Sequence, residues 1–142
     1  MRAMEISLSG MDVEWRRLEM VAANLANAST VLNGKGDAYR AMHLISGPRM
    51  SFRGQLDRAD ALTQDVLGGV EVYGVEPIDL PPRHVYEPGN PQADPKGYVS
   101  YPGVDMAQQM TLMIKTARAY EANVVSMSMA RQMYAKALEI GR

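Results

Sequence analysis

The chain has 142 residues, enough for one ordinary domain. Its 15 Lys+Arg balance 16 Asp+Glu, so nothing draws it electrostatically to nucleic acid or anionic lipid, and no nucleic-acid partner is expected. It has no cysteine, which removes disulfides and thiolate chemistry, and its 12 methionines against one phenylalanine suit packing against several slightly different neighbours.

The first segment is apolar at alternating steps of four and three: Met4, Leu8, Met11, Trp15, Leu18, Ala22 and Leu25. That 3.5-residue period is the seam of a coiled coil, so a heptad helix is predicted over residues 1–30. Glu5, Asp12 and Glu14 interrupt any apolar run, and no small-residue cleavage site follows one. Export, if it occurs, is therefore expected without a cleaved signal peptide. The helix is expected to fail between Asn27 and Thr30, where side chains compete for backbone hydrogen bonds, ahead of the turn chemistry of Asn33-Gly34 and Gly36-Asp37. Gly34-Lys35-Gly36 lacks the flanking residues of a phosphate loop.

Residues 31–103 read as a small β-rich and turn-rich middle. Tyr39, Ala41, His43 and Ile45 alternate along a predicted strand from Tyr39 to Ser46, ended by Gly47 and Pro48. Leu56, Ala59, Leu62 and Leu67 have the spacing for a turn or two of helix. A second strand is predicted from Val70 to Val75, closed by Pro77. Pro81 to Pro102 is too rich in proline and glycine for a helix and is expected to take a fixed turn-rich path, with an edge strand at Tyr98–Tyr101.

The C-terminal stretch, 104–142, repeats the opening pattern. Met106, Met110, Met113, Ala117, Tyr120, Val124, Met127, Tyr134 and Leu138 form a seam interrupted only by Arg131. Beside it runs a second stripe of Leu112, Ala119, Ala122, Met129, Ala130, Met133, Ala137 and Ile140. Asp105 is placed to cap the helix start and Gly141 its end. At 1.5 Å per residue this helix would be roughly 50 Å long, more than a small domain covers. The predicted fold is mainly α: long N- and C-terminal helices forming an antiparallel coiled-coil pair, with the middle inserted between them. The first stripes are expected to meet each other within the chain, and the second stripe to meet other subunits. No stretch approaches the roughly 20 apolar residues of a membrane span, so no direct membrane insertion is expected.

No catalytic constellation emerges. His43 and His84 have no carboxylate at ligand spacing, Glu87, Asp94 and Asp105 suit caps and turns, and Ser126 has no base beside it. No enzyme activity, cofactor or metal is expected. Two non-enzymatic classes remain: a polymerising structural subunit, and a coiled-coil adaptor or chaperone-like binding module of a secretion system.

Three blocks carry a resemblance. Asn24-Leu25-Ala26-Asn27 with Thr30, ending a heptad helix, resembles the signature shared by the axial proteins of the bacterial flagellum. Tyr86-Glu87-Pro88-Gly89-Asn90-Pro91, followed by Gly97 and Tyr98, is similar to the proximal rod members of that family. So is Arg118-Ala119-Tyr120-Glu121-Ala122-Asn123. The resemblance implies a structural subunit of the periplasmic rod, exported by the flagellar type III apparatus. It also implies partners: other copies of itself, other rod proteins and the base of the rod at the inner-membrane ring.

Overall fold

The computed structural model describes residues 2–31, 39–49 and 68–141. Among these residues two helices, α1 (Arg2–Asn27) and α2 (Met106–Ile140), enclose in sequence four short strands: β1 (Met42–Pro48), β2 (Val70–Pro77), β3 (Arg83–Tyr86) and β4 (Tyr98–Tyr101). The predicted turn or two of helix through Leu56 to Leu67 lies outside the described residues.

Helix α1 ends where its side chains begin to serve the backbone. The Asn27 amide donates to the Ala23 carbonyl at 2.8 Å, and tight turns bring Ala28 N to Leu25 O and Thr30 N to Asn27 O. Asp105 starts α2 as predicted: its backbone is extended and its carboxylate accepts from Ala107 N at 2.9 Å and Gln108 N at 3.2 Å. Gly141 follows the last turn with φ −84°, so the helix stops without the left-handed glycine cap. No proline or glycine lies within α2, and nothing kinks it.

The helices pack against each other and run antiparallel. Gly10 faces Asn123, the Trp15 ring lies tilted at 6.2 Å from that of Tyr120, and Asn24 bonds Gln109. Fourteen residues separate Gly10 from Asn24 along α1, and fourteen separate Asn123 from Gln109 along α2, so the register holds over this length. Carried onward, it brings Arg2 level with Arg131. Residues Met133 to Ile140 therefore run past the start of α1 as an overhang of about 12 Å.

Strands β1 and β2 form an antiparallel pair that packs on α1, and β3 and β4 form a second. The first strand begins three residues later than its alternation predicts. Tyr39 and Ala41 are drawn instead into loop contacts: the Tyr39 hydroxyl bonds Asn24, and the buried Ala41 accepts from Ile78 N. A bulge between Ile45 and Ser46 then breaks the predicted alternation, and Gly47 and Pro48 continue the strand rather than ending it. Pro48 is tolerated because it is the last paired residue of a two-stranded sheet. Strand β3 lies inside the segment read as turns. Its four residues fall between Pro82 and Pro88, too few to display a period.

Candidate functional site: the helix pair and its clamps

Polar residues at near-heptad steps along α1 hold the middle region to the helix. Ser9 Oγ donates to Ile6 O at 2.7 Å and accepts from Val70 N at 3.1 Å. Arg17 is gripped by Glu14 at 2.6 Å and donates to Ser46 Oγ at 2.8 Å. Asn24, 1% exposed, is the most connected of the three. Its amide donates to Met42 O at 2.8 Å and Gln109 Oε1 at 3.3 Å, while Oδ1 accepts from the Tyr39 hydroxyl at 2.7 Å and Met42 N at 2.9 Å. This one side chain ties α1, β1 and α2 together. Burial pushes the Tyr39 hydroxyl above its ordinary pKa, which keeps it a donor to Asn24.

The line of closest approach between the helices is made of small and polar residues. Ser7, Val13, Val21 and Asn24 are buried on α1, with Gln109 and Thr116 on α2. Gly10 lies so close to the Asn123 amide that a Cβ there would come within 2.9 Å of it. Asn123 is itself turned onto its own helix, donating to Ala119 O at 3.1 Å. The predicted apolar series sits to the side of this line. Met4, Met11, Leu18 and Leu25 are half-buried, whereas Leu8 is 56% and Trp15 54% exposed and Ala22 also faces outward. On α2, Met113, Ala117, Tyr120 and Met127 are half-buried, and Met106, Met110, Val124, Tyr134 and Leu138 are exposed. Of the second stripe, Ala119 and Ala130 are half-buried, while Leu112, Ala122, Met129, Met133, Ala137 and Ile140 are exposed.

A second ordered unit is the loop from Glu87 to Gly97 between β3 and β4. Glu87 N donates to Gly97 O, Asn90 N to Glu87 O and Asp94 N to Tyr98 O, each near 3 Å. Asp94 Oδ1 accepts from Lys96 N and Tyr98 N, both at 2.8 Å, and Asn90 Oδ1 from Gln92 N at 3.0 Å. The Glu87 carboxylate takes the Asn90 amide and the Tyr101 hydroxyl. Desolvation, and after it the bond to Glu87, raises the Tyr101 pKa. Gly97 has φ +81°, and a Cβ there would strike the Tyr86 ring, which packs edge-on against Tyr98 at 5.3 Å. Pro88, Gly89 and Pro91 are exposed at the loop surface. Among the motif residues of the helices, Ala26 and Arg118 are exposed, and Thr30 reaches Asn27 at 3.5 Å.

The two histidines are not brought together. His84 shares a 2.9 Å hydrogen bond with Ser100, and His43 stands exposed on β1. Among the described residues no group of three or more His, Cys, Asp or Glu is placed to hold a metal ion, and no helix is long and apolar enough to cross a membrane.

Two family matches fall on these elements. Residues 4–31 match the family described as "Flagella basal body rod protein", and residues 96–140 match "Flagellar basal body rod FlgEFG protein C-terminal". Over nearly its whole length the chain is similar to proteins named "Flagellar basal-body rod protein FlgC". The Salmonella typhimurium protein is 34% identical over 138 residues, covering 97% of this chain and 95% of the relative. The Bacillus subtilis protein is 32% identical over 145 residues, covering 99% and 97%. The Borreliella burgdorferi protein is 30% identical over 145 residues, covering 97% and 95%.

The chain belongs to the FlgC family of flagellar basal-body rod proteins. It is a structural rod subunit and not an enzyme, and the adaptor or chaperone alternative is not favoured. Within the FlgC family frame, one match covers α1 and the other covers β4 together with α2, and residues 32–95 lie between them. What sequence reasoning missed was the clamp function of Ser9, Arg17 and Asn24. The available signal was polarity in the wrong place: a serine, an arginine and an asparagine recurring on the flank of an amphipathic helix.

Proposed function

We propose that this chain is a subunit of the proximal rod, lying in the periplasm, and that it polymerises through residues 1–30 and 104–142 into the tubular axle that transmits torque and conducts exported subunits. Within the middle region, the β1–β2 pair is clamped to α1. The partners are other copies of the chain, other rod proteins and the base of the rod at the inner-membrane ring. The chain reaches the rod through the flagellar type III apparatus with its N-terminus uncleaved.

One observation carries the reading: the intramolecular contact leaves many large apolar side chains of both helices exposed. Leu8, Trp15, Met110, Val124, Met129, Met133, Tyr134 and Leu138 are all exposed, and Ile140 is 87% exposed. Soluble monomers rarely display so continuous an apolar surface. Small and polar residues on the inner line let the axes approach closely, which leaves the bulky apolar stripes for neighbouring subunits. In the assembled rod the pair acts as an antiparallel coiled coil whose outer seams are completed by other chains. A contact of this kind that repeats by a screw operation builds an open tube rather than a closed oligomer.

The test is complementation. A strain lacking the corresponding rod gene is supplied with this chain bearing an epitope tag in the middle region, and its basal bodies are isolated. Recovery of swimming with the tag in the rod fraction supports the proposal. Swimming without incorporation, or a free protein in the cytoplasm bound to export substrates, would replace it with the adaptor reading.

A further inference from the structure

The overhang of α2 is an apolar helix end with no partner among the described residues, and an apolar groove runs along the far side of α1. The groove, of about 650 Å³, runs between α1 and the β1–β2 pair, with Trp15, Met20, Leu44 and Val75 among its lining and the carboxylates of Asp12 and Glu19 on its α1 side. Asp12 is paired with Arg16 at 3.3 Å, and Glu19 accepts from the Trp15 indole at 2.9 Å, so the acids are held in place along one helix face. At about 100° per residue, Met133, Tyr134, Ala137, Leu138 and Ile140 fall within one arc of the overhang. Arg131 borders that arc on one side and Lys136 on the other. An apolar stripe flanked by two cations thus has a counterpart in an apolar groove whose α1 edge carries Asp12, its partner Arg16 and Glu19, and so one net negative charge.

We propose that the overhanging end of α2 seats in this groove on a second copy of the chain, an inference that rests on the rod reading above. The same chain cannot supply it. At the observed register Met20 lies level with Met113, and Leu138 is 25 residues further along an unkinked helix, roughly 37 Å away. The contact is heterologous, the end of one subunit on the side of the next, and so propagates. Eight to ten helical residues bury less than the roughly 800 Å² per partner of a stable free complex. The contact therefore forms within the rod, alongside others, and does not hold two subunits together in dilute solution.

The absence of cysteine makes the test clean. Met20→Cys and Leu138→Cys are introduced singly and together into the full chain, and isolated basal bodies are oxidised and run without reductant. A second pair, Ala23→Cys with Met133→Cys, guards against one substitution preventing incorporation. The expected result is a ladder of multimers of this chain from either double variant, at least ten-fold above the single variants, and lost on adding Lys136→Glu with Arg131→Glu. Incorporated double variants that give no multimer overturn the proposal while leaving the rod reading intact. Cross-linking of position 138 only to a different protein, or its labelling by a lipid-soluble reagent, overturns it in favour of that occupant. A chain absent from basal bodies overturns the rod reading and this contact together.

Discussion

Asn24 does at the scale of one residue what a core normally does with many. A buried side-chain amide is stable only when its donors and acceptors are met, and here four bonds from three residues, Tyr39, Met42 and Gln109, meet them. Asn24→Leu keeps the branched shape but leaves Met42 N, Met42 O and the Gln109 amide without partners. At about 1–3 kcal/mol for each buried unsatisfied group, the loss should be at least ~3 kcal/mol, read as a lower urea midpoint. Tyr39 contributes one of these bonds and adds a pH dependence. Its folded pKa is raised above the ordinary 10.0, so the unfolded chain loses this proton first. Its contribution is complete below pH 10 and declines as the pH rises from there toward the folded value. Tyr39→Phe should cost about 1 kcal/mol at neutral pH and flatten the alkaline part of the stability curve.

At the scale of the element, the loop from Glu87 to Gly97 is held by backbone and carboxylate bonds more than by its prolines. Pro88 and Pro91 are exposed and act by limiting the unfolded chain, an effect of about 0.4–1 kcal/mol each. Replacing both with alanine should loosen the path into α2 and reduce motility while export continues. Asp94→Ala removes the acceptor for two backbone N–H groups at once and should cost more, about 1–3 kcal/mol. Amide hydrogen exchange at Lys96 and Tyr98 separates the two cases, with faster exchange expected in Asp94→Ala than in the proline double variant. Gly103 sets the following step: a Cβ there would collide with the Pro81 carbonyl, so Gly103→Ala should shift the start of α2 whereas Gly89→Ala, which meets nothing, should be silent.

For the whole molecule, the question is which contacts fold a subunit and which join subunits. Tyr120 is half-buried against Trp15, and Tyr120→Asp would place a carboxylate at the helix pair, costing several kcal/mol if left unpaired. That variant should lower export and abundance. Ala122 is exposed, so Ala122→Trp should be exported normally yet block rod growth, because a close helix approach tolerates no large side chain. Arg118 is also exposed, and Arg118→Ala should cost less than about 1 kcal/mol. A motility assay with fractionation of exported protein distinguishes the three. Normal swimming by Ala122→Trp, or damage from Arg118→Ala equal to that from Tyr120→Asp, would move the important contacts away from the apolar stripe.

Much of this was legible before any coordinates. The heptad spacing of Met4 to Leu25 and of Met106 to Leu138 placed both helices, Asp105 marked the start of the second, and the alternation after Gly69 placed β2. The blocks around Asn24, Pro88 and Tyr120 pointed to the family. What only the tertiary structure decided is which face of each helix meets the other. A period identifies an apolar stripe but not what covers it, because hydrophobic burial is non-directional and any apolar neighbour satisfies it. Hydrogen bonds are directional and buried ones must be completed. The bonds of Asn24 to Gln109 and Met42, with Gly10 closing onto Asn123, set the facing line of the two helices and left Leu8, Met110 and Met129 outside.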